Sequence, residues 1–373
     1  MSGLYIHIPF CKQACHYCDF HFSTNLKYKA SMVNAICKEI ALTKDYLNGE
    51  KLESIYFGGG TPSLLSSSEL VQIFEAIHKF HKVEDNAEIT FESNPDDSTP
   101  LFIKDIMSCG INRLSIGIQS FNNEVLQFLH RVHDSEQSQR CVKEAQDAGL
   151  HNISIDLIYG IQSENHEIWR NDLELATKLS LQHISSYCLT IEPKTVFGKW
   201  LKDGTLKEVE EEFAAVQFEM LTAHMEKSDF AQYEISNFCK KGKMAVHNSN
   251  YWRSKNYLGI GPGAHSYNGL SRQSNVSNNI KYIRSIEHGE KTFEIEELSE
   301  QVRINEYIMT SLRTIWGCDL TYLSSFLSFN RKIFENNIAT HIPSDLILKE
   351  GDQLKLTSKG KLLADEITSK LFL

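Results

Sequence analysis

Along the first 190 residues, short apolar runs alternate with segments of helical period. The runs are LYIHI, SIYF, EITF, RLSIGI, NISIDLIY and HISSYCLTI, six in all. Between them, SELVQIFEAIHKF carries its apolar residues on one helical face, and Ser66 with Glu69 three residues on forms a capping box at its start. Strands that alternate with helices specify a parallel sheet, because each parallel connection must cross over the sheet. The expected fold class is therefore α/β, and this order fits an open doubly wound sheet and a partial barrel equally well. Polar or glycine-rich residues close nearly every run: a cysteine cluster after the first, GGGTPS after the second, then Glu92, Gln119 and Asp156. In parallel α/β folds that rim carries the site. Any one such residue has a plain reading as a loop turning into water, whereas five on one rim point to a pocket.

From about Glu208 the pattern changes to a helix with apolar positions Phe213, Val216, Met220 and Leu221, then an extended AQYEISNF and an aromatic, glycine-rich stretch. SRQSNVSNN reads as a solvated loop. A separate helical unit is expected from about residue 295, opening with VRINEYIMTSLRTIW and closing with LKLTSKGKLLADEITSKL, where a short strand, a turn at Lys359 and Gly360 and a last helix suggest a winged-helix shape. The expected organisation is a main unit over residues 1–235, a connecting segment over 236–294 and a C-terminal helical unit over 295–373.

The 373 residues are 41% hydrophobic and 23% charged, ordinary globular usage, and long enough for one large core plus a smaller one. No apolar run approaches the roughly 20 residues of a bilayer span, and MSGLYIHIPFC lacks the basic start and apolar stretch of a signal peptide, so a cytoplasmic location is expected. A formal charge of −10 repels phosphate backbones. The C-terminal unit holds no basic excess either, with 9 Lys and Arg against 11 Asp and Glu from residue 295 onward, so no nucleic-acid partner is expected and that unit is read as a packing or partner-contact element.

Nine cysteines are too few for a disulfide scaffold of this length. Cys11, Cys15 and Cys18 cluster within FCKQACHYCDF, and the other six are scattered singly, as small buried hydrophobes are. Spacings of four and three let one short loop turn three sulfurs toward a common centre. Structural zinc and cubane [4Fe-4S] sites usually take four protein ligands, so three thiolates leave a metal position open. His16 or His21 completing a Cys3His zinc site is the competing reading, and it implies a zinc-stabilised binding module. GGG in YFGGGTPS has a plain reading as a tight strand-to-helix turn, and no Gly-Lys-Ser/Thr follows to make a phosphate loop. Gly259, Gly261 and Ala264 in GIGPGAHS nominally fit a dinucleotide fingerprint, which is set aside because no strand before and helix after are expected there.

C-x3-C-x2-C directly after a first strand resembles the signature of radical S-adenosylmethionine (SAM) enzymes. In that superfamily the three cysteines hold a [4Fe-4S] cluster whose fourth iron chelates SAM, and the fold is a partial (β/α)6 barrel, in agreement with the six units above. The order LYIHIPFCKQACHYCDF, YFGGGTPS, FESNP, IGIQSF, HRVHD and DLIYG is similar to the branch that contains oxygen-independent coproporphyrinogen III oxidase and the HemW-type haem chaperones. The resemblance implies that Cys11, Cys15 and Cys18 hold the cluster and that Tyr5 and Tyr17 line the cofactor pocket. It implies further that Gly59, Gly60 and Thr61 receive the methionine end of SAM, and that Glu92, Gln119, Arg131 and Asp156 bind its polar and ribose groups. An electron donor is implied wherever the cluster is reduced.

Within the branch the oxidases carry a further cysteine two residues after the third, where this chain has Phe20, and a longer arm ahead of the cluster. Both departures weaken the oxidase reading, which stays as the alternative. HNSNYW over residues 247–252 matches the HNxxYW motif that is associated with haem binding in the chaperones. His247 is thus the expected haem ligand, with Tyr251 and Trp252 offering flat apolar surface; the plain reading is a buried histidine among core aromatics. His265 in PGAHS is the second candidate ligand and Cys239 the third, and Arg253 or Lys255 are candidate partners of the haem propionates. The resemblance implies delivery of haem to acceptor haem proteins, respiratory and membrane-associated, and suggests a homodimer and a cluster and SAM that control oligomeric state or haem transfer rather than turnover.

Overall fold

The computed structural model describes residues 1–291 and 293–373. Its centre is a run of six parallel strands, β1 (Ser2–Ile8), β2 (Leu52–Gly59), β3 (Val83–Ser93), β4 (Arg113–Gln119), β5 (Ile153–Tyr159) and β6 (His183–Cys188), paired in sequence order. Each of the six expected runs overlaps one of them, the last extending past β6 to Ile191. The connections carry helices α1 (Lys29–Leu42), α2 (Ser67–Phe80), α3 (Pro100–Ser108), the short α4 (Asn123–Phe128) with α5 (Ser135–Asp147), and α6 (Glu167–Lys178). The strands alternate: one face is apolar and covered by the helices, and the other carries polar residues such as Tyr56, Glu92, Arg113, Asp156 and His183 into the interior of the partial barrel. Leu4, Ile6, Ile55, Phe57, Phe91, Leu114, Ile116, Ile155 and Ile184 are all fully buried in this core. The capping box on α2 is present: Ser66 Oγ accepts from Glu69 N–H at 3.3 Å and Ser66 N–H donates to Glu69 at 2.8 Å.

After β6 come α7 (Val196–Lys202) and α8 (Glu211–Lys227). The buried face of α8 is Gln217, Phe218, Leu221 and Met225, so of the four apolar positions read from the sequence only Leu221 belongs to it. The helix is rotated because Gln217 must reach back to Gly160 N–H on the barrel, at 2.7 Å.

AQYEISNF forms two strands rather than one, β7 (Ala231–Glu234) and β8 (Asn237–Cys239), which add an antiparallel edge beyond β6. On the other edge, α9 (Val246–Trp252) leads into β9 (Tyr257–Ile260), which runs parallel to β1. β10 (His265–Tyr267), β11 (Ser271–Asn275), α10 (Asn279–Glu287) and β12 (Phe293–Glu297) follow, and the twelve strands form one sheet. Residues 236–294 therefore extend both edges of the main sheet. Much of SRQSNVSNN is β11 and not a solvated loop; its polar side chains misled because Ser271 and Asn275 are buried with hydrogen-bond partners. GIGPGAHS does follow a strand, but it leads to β10, not to a helix.

One buried carboxylate fastens this extension. Glu39 on α1 accepts from Gly261 N–H at 2.8 Å, from Asn275 Nδ2 at 2.6 Å and from the Tyr282 hydroxyl of α10. Burial raises its pKa to about 7 against those three donors.

The remaining residues build α11 (Glu300–Leu312), β13 (Cys318–Asp319), α12 (Leu320–Leu323), α13 (Arg331–His341), β14 (Ile347–Glu350), β15 (Gln353–Leu356), α14 (Ser358–Leu362) and α15 (Ala364–Lys370). They have their own core around Ile304, Ile308, Leu320, Phe334 and Leu354, beside a three-stranded sheet. Lys359 and Gly360 lie inside α14, where a turn was expected: Gly360 is needed because a Cβ there would sit 2.0 Å from Leu346 O.

Candidate functional site

A cavity of about 610 Å³ opens at the C-terminal ends of the barrel strands. It is lined by all the residues expected to hold the cluster or SAM, Tyr5, Cys11, Cys15, Tyr17, Cys18, Gly59, Gly60, Thr61, Glu92, Gln119, Arg131 and Asp156, and by His247, but not by Cys239, Trp252, Arg253, Lys255 or His265. Its size falls within the about 300–1,000 Å³ of small-molecule sites.

The three cysteines sit on a braced loop between β1 and α1. At its base Ser23 N–H donates to Pro9 O at 2.9 Å and Cys11 N–H to Ser23 O at 3.1 Å. Lys12 Nζ reaches Asp96 at 2.8 Å and also pairs with Asp97, tying the loop to the end of β3. Gln13 donates to His130 O, and His130 Nδ1 donates to Ala14 O, both at 2.8 Å.

Gly59 and Gly60 serve this loop directly. Gly59 has φ +104° and a Cβ on it would meet the His7 ring at 2.4 Å; at Gly60 it would meet Phe10 O at 2.5 Å. Gly60 N–H donates to Ile8 O at 2.9 Å and Thr61 N–H to Phe10 O at 2.6 Å. The glycines thus let the end of β2 lie flush against the start of the cysteine loop, which is the turn reading, and their backbone also faces the cavity.

Burial pushes the Cys11 thiol up to about 12 and Cys18 to about 11, while the Arg131 cation works in the opposite direction. Arg131 donates to Cys15 Sγ at 3.3 Å, to Asn94 Oδ1 at 2.6 Å and to Gly117 O at 2.7 Å. Its Nε is buried and has no partner among the described residues. Across the cavity, Glu92 accepts from the Tyr56 hydroxyl at 2.7 Å and from Gly59 N–H at 3.2 Å. Burial raises its pKa to about 7, helped by the charge of Asp156. Asp156 is likewise raised, to about 6, by burial. Gln119 closes β4 in the left-handed region at φ 71°, where the β4–β5 register shifts, so its backbone is strained at the cavity wall.

Three thiols, a compensating guanidinium with an orphaned N–H and two half-buried carboxylates suit a metal–sulfur cluster with a cationic amino-acid ligand. The same donors do not close on a single ion: among the described residues, no three His, Cys, Asp or Glu side chains are grouped to hold one metal. His16 bonds Phe128 O at 3.1 Å and stacks on His130, and His21 bonds Asn279 at 2.7 Å, and neither lines the cavity. The Cys3His zinc reading therefore lacks its fourth ligand here.

The chain matches the radical SAM superfamily over residues 5–176. It is 33% identical to "Heme chaperone HemW" of Bacillus subtilis across 98% of both chains, and 34% identical to the protein of that name from Haemophilus influenzae across 100% of this chain and 97% of that one. The chain belongs to the HemW family. A HemW relative from Escherichia coli is 37% identical over 70% of this chain and 69% of its own. The solved coproporphyrinogen III oxidase (HemN) of Escherichia coli superposes with a TM-score of 0.85, covering 99% of this chain and 89% of that one; at 20% identity this shows the shared fold.

In this HemW family member the HNxxYW segment is the helix α9. Glu88 on β3 caps it, accepting from Val246 and His247 N–H at 2.9 Å each, a carboxylate at a helix N-terminus. His247 itself is 3% exposed. Its Nδ1 pairs with the Ser54 hydroxyl at 2.8 Å and its Nε2 with the Tyr251 hydroxyl at 3.0 Å, so both ring nitrogens are engaged. Burial and the nearby Arg113 charge lower its pKa to about 3, so it is neutral. Cys239 is 1% exposed in the core and does not line this cavity, which removes it as a ligand. Arg253 lies over the Trp316 ring at 4.0 Å.

Sequence reasoning missed Glu88, Asn94, Arg113 and Tyr56. Asn94 stands next to FES in FESNP and was legible as part of that motif; Glu88 and Arg113 gave no signal, because each acts through a partner distant in sequence.

Proposed function

We propose that this chain is a haem chaperone that binds haem and passes it to acceptor haem proteins, on a radical SAM scaffold. The observation that carries the reading is its end-to-end similarity to curated heme chaperones, 98% of both chains in the Bacillus subtilis case. Phe20 supports it: where the oxidases carry a further cysteine, this side chain is an aromatic 71% exposed at the cavity mouth.

Cys11, Cys15 and Cys18 would hold the [4Fe-4S] cluster, and the open iron position would take SAM, whose sulfonium a reduced cluster can cleave to a radical. This chain's own residues supply the setting. Arg131 offsets the thiolate charge, Glu92 and Asp156 offer carboxylates to the ammonium and ribose hydroxyls, and the backbone of Gly59 to Thr61 faces the amino-acid end. Residence in a reducing compartment such as the cytoplasm fits a protein that keeps nine thiols free. No helix among the described residues is long and apolar enough to cross a membrane.

The test is haem titration of the anaerobically reconstituted protein beside an assay of coproporphyrinogen III decarboxylation. Saturable haem binding without decarboxylation is expected. Robust decarboxylation would establish the oxidase reading instead.

A further inference from the structure

The cavity continues round Phe20 into a second space, a groove of about 700 Å³ between the cysteine loop and the β9–β10 edge. Phe20, Phe22 and Tyr251 form walls of both spaces. Resting on the haem-chaperone reading, we propose that this groove holds the haem, with His265 as its axial ligand and His247 as a positioning residue behind it.

Three histidines line the groove, and their commitments differ. His7 is engaged at both nitrogens, by the Tyr5 hydroxyl at 3.0 Å and by His21 O at 2.8 Å. His21 spends Nε2 on Asn279. His265, at the start of β10, is exposed and has no hydrogen-bond partner among the described residues. Iron coordination needs a neutral imidazole with a free lone pair. Partial desolvation by the groove wall and the charge of Arg272 both lower the pKa of His265, which favours that form.

The walls suit a flat apolar ring. The Tyr251 ring meets Tyr257 edge-on at 4.5 Å, and Tyr257 in turn stacks near Tyr267 at 6.2 Å. Lys194, an exposed cation with no ion-pair partner among the described residues, is available to a propionate; Asp19 in the same lining repels one and so favours the orientation toward Lys194. On this account the HNxxYW motif acts through Tyr251: the 3.0 Å bond from His247 Nε2 fixes the Tyr251 hydroxyl, and with it the ring that faces the groove. Ligation by His247 would require breaking that bond or the Nδ1 bond to Ser54.

The experiment is titration of full-length protein with ferric haem, followed by Soret and electron paramagnetic resonance spectra, for the parent, His265→Ala, His265→Met, His247→Ala and Tyr251→Phe. The parent is expected to give a nitrogen-ligated spectrum. His265→Ala should lose it and bind at least about tenfold more weakly, with free imidazole restoring the spectrum, because the ligand and not the fold was removed. His265→Met should keep binding with a shifted band. His247→Ala should keep the nitrogen-ligated signature while weakening affinity, and Tyr251→Phe should do the same. A His265→Ala spectrum identical to the parent's, or loss of ligation in His247→Ala alone, overturns the inference and leaves the chaperone reading standing. A parent that binds no haem overturns both. Unchanged thermal unfolding of His265→Ala is expected, since the side chain is on the surface.

Discussion

Glu92 and Asp156 face one cavity without a cation between them in hydrogen-bond contact, and burial holds their protons up to about pH 7 and about pH 6. A carboxyl raised in the folded state is without cost below its unfolded pKa, and its cost grows as pH rises toward the folded value. Glu92 therefore destabilises the empty fold progressively from about pH 4.5 to about pH 7, and constantly above that. His247, lowered to about 3, works in the opposite sense: stability rises with pH up to its unfolded value and is level beyond. Glu92→Gln isolates the first effect. Its unfolding midpoint should improve relative to the parent's as pH is taken from about 5 to about 8, and a pH-independent difference would contradict the assignment. SAM affinity should fall in the same variant. At Gly59 the demand is steric: Gly59→Ala drives a Cβ into His7 at φ +104°, and loss of cluster incorporation without loss of the folded circular dichroism spectrum is the expected result. The chemical identity of these residues was legible from motif order, because thiols, carboxylates and glycines have narrow uses at strand ends. The engagement of His247 was not, because Ser54 lies 193 residues away and no spacing rule reports such a partner.

At the scale of elements, β4 carries its strain at Gln119. Gln119→Gly should relieve about 1 kcal/mol of backbone strain yet weaken SAM binding, a split that isothermal titration and thermal unfolding read separately. Equal losses in both would show the side chain to be a packing residue. Glu39 has the larger structural task, joining α1 to the turn after β9, to β11 and to α10. Glu39→Ala takes the shared acceptor from three buried groups, of which Asn275 keeps its bond to Gly261 O, and should cost about 3 kcal/mol, with faster hydrogen exchange concentrated over residues 257–287. The six barrel strands and the α2 capping box could be read directly because their apolar period and local caps are local properties. β11 could not: its Ser, Asn and Gln residues imitate a loop, and only their pairing between β10 and β12 makes them a strand.

On the scale of the whole molecule, the C-terminal unit has a core of its own and touches the barrel around β7 and α9. Ile315 N–H donates to Tyr233 O at 2.9 Å, and Arg253 covers Trp316. Arg253 caps the C-terminal end of the helix that presents Tyr251, so the C-terminal unit is placed to feel what the groove holds. Trp316→Ala should lower haem affinity modestly and raise protease sensitivity after residue 295; unchanged values in both would show the contact to be idle. A net charge of −10 gives no long-range attraction for an anionic porphyrin, so retention must come from ligation and apolar contact, and release is correspondingly accessible. The most direct measurement is therefore transfer. Reconstituted protein loaded with one haem is mixed anaerobically with an apo-haem protein, and the acceptor's Soret band is followed. The account predicts stoichiometric appearance of the acceptor spectrum with no decarboxylation of added coproporphyrinogen III. Retention of all haem by the donor, or turnover of the porphyrinogen, would contradict it.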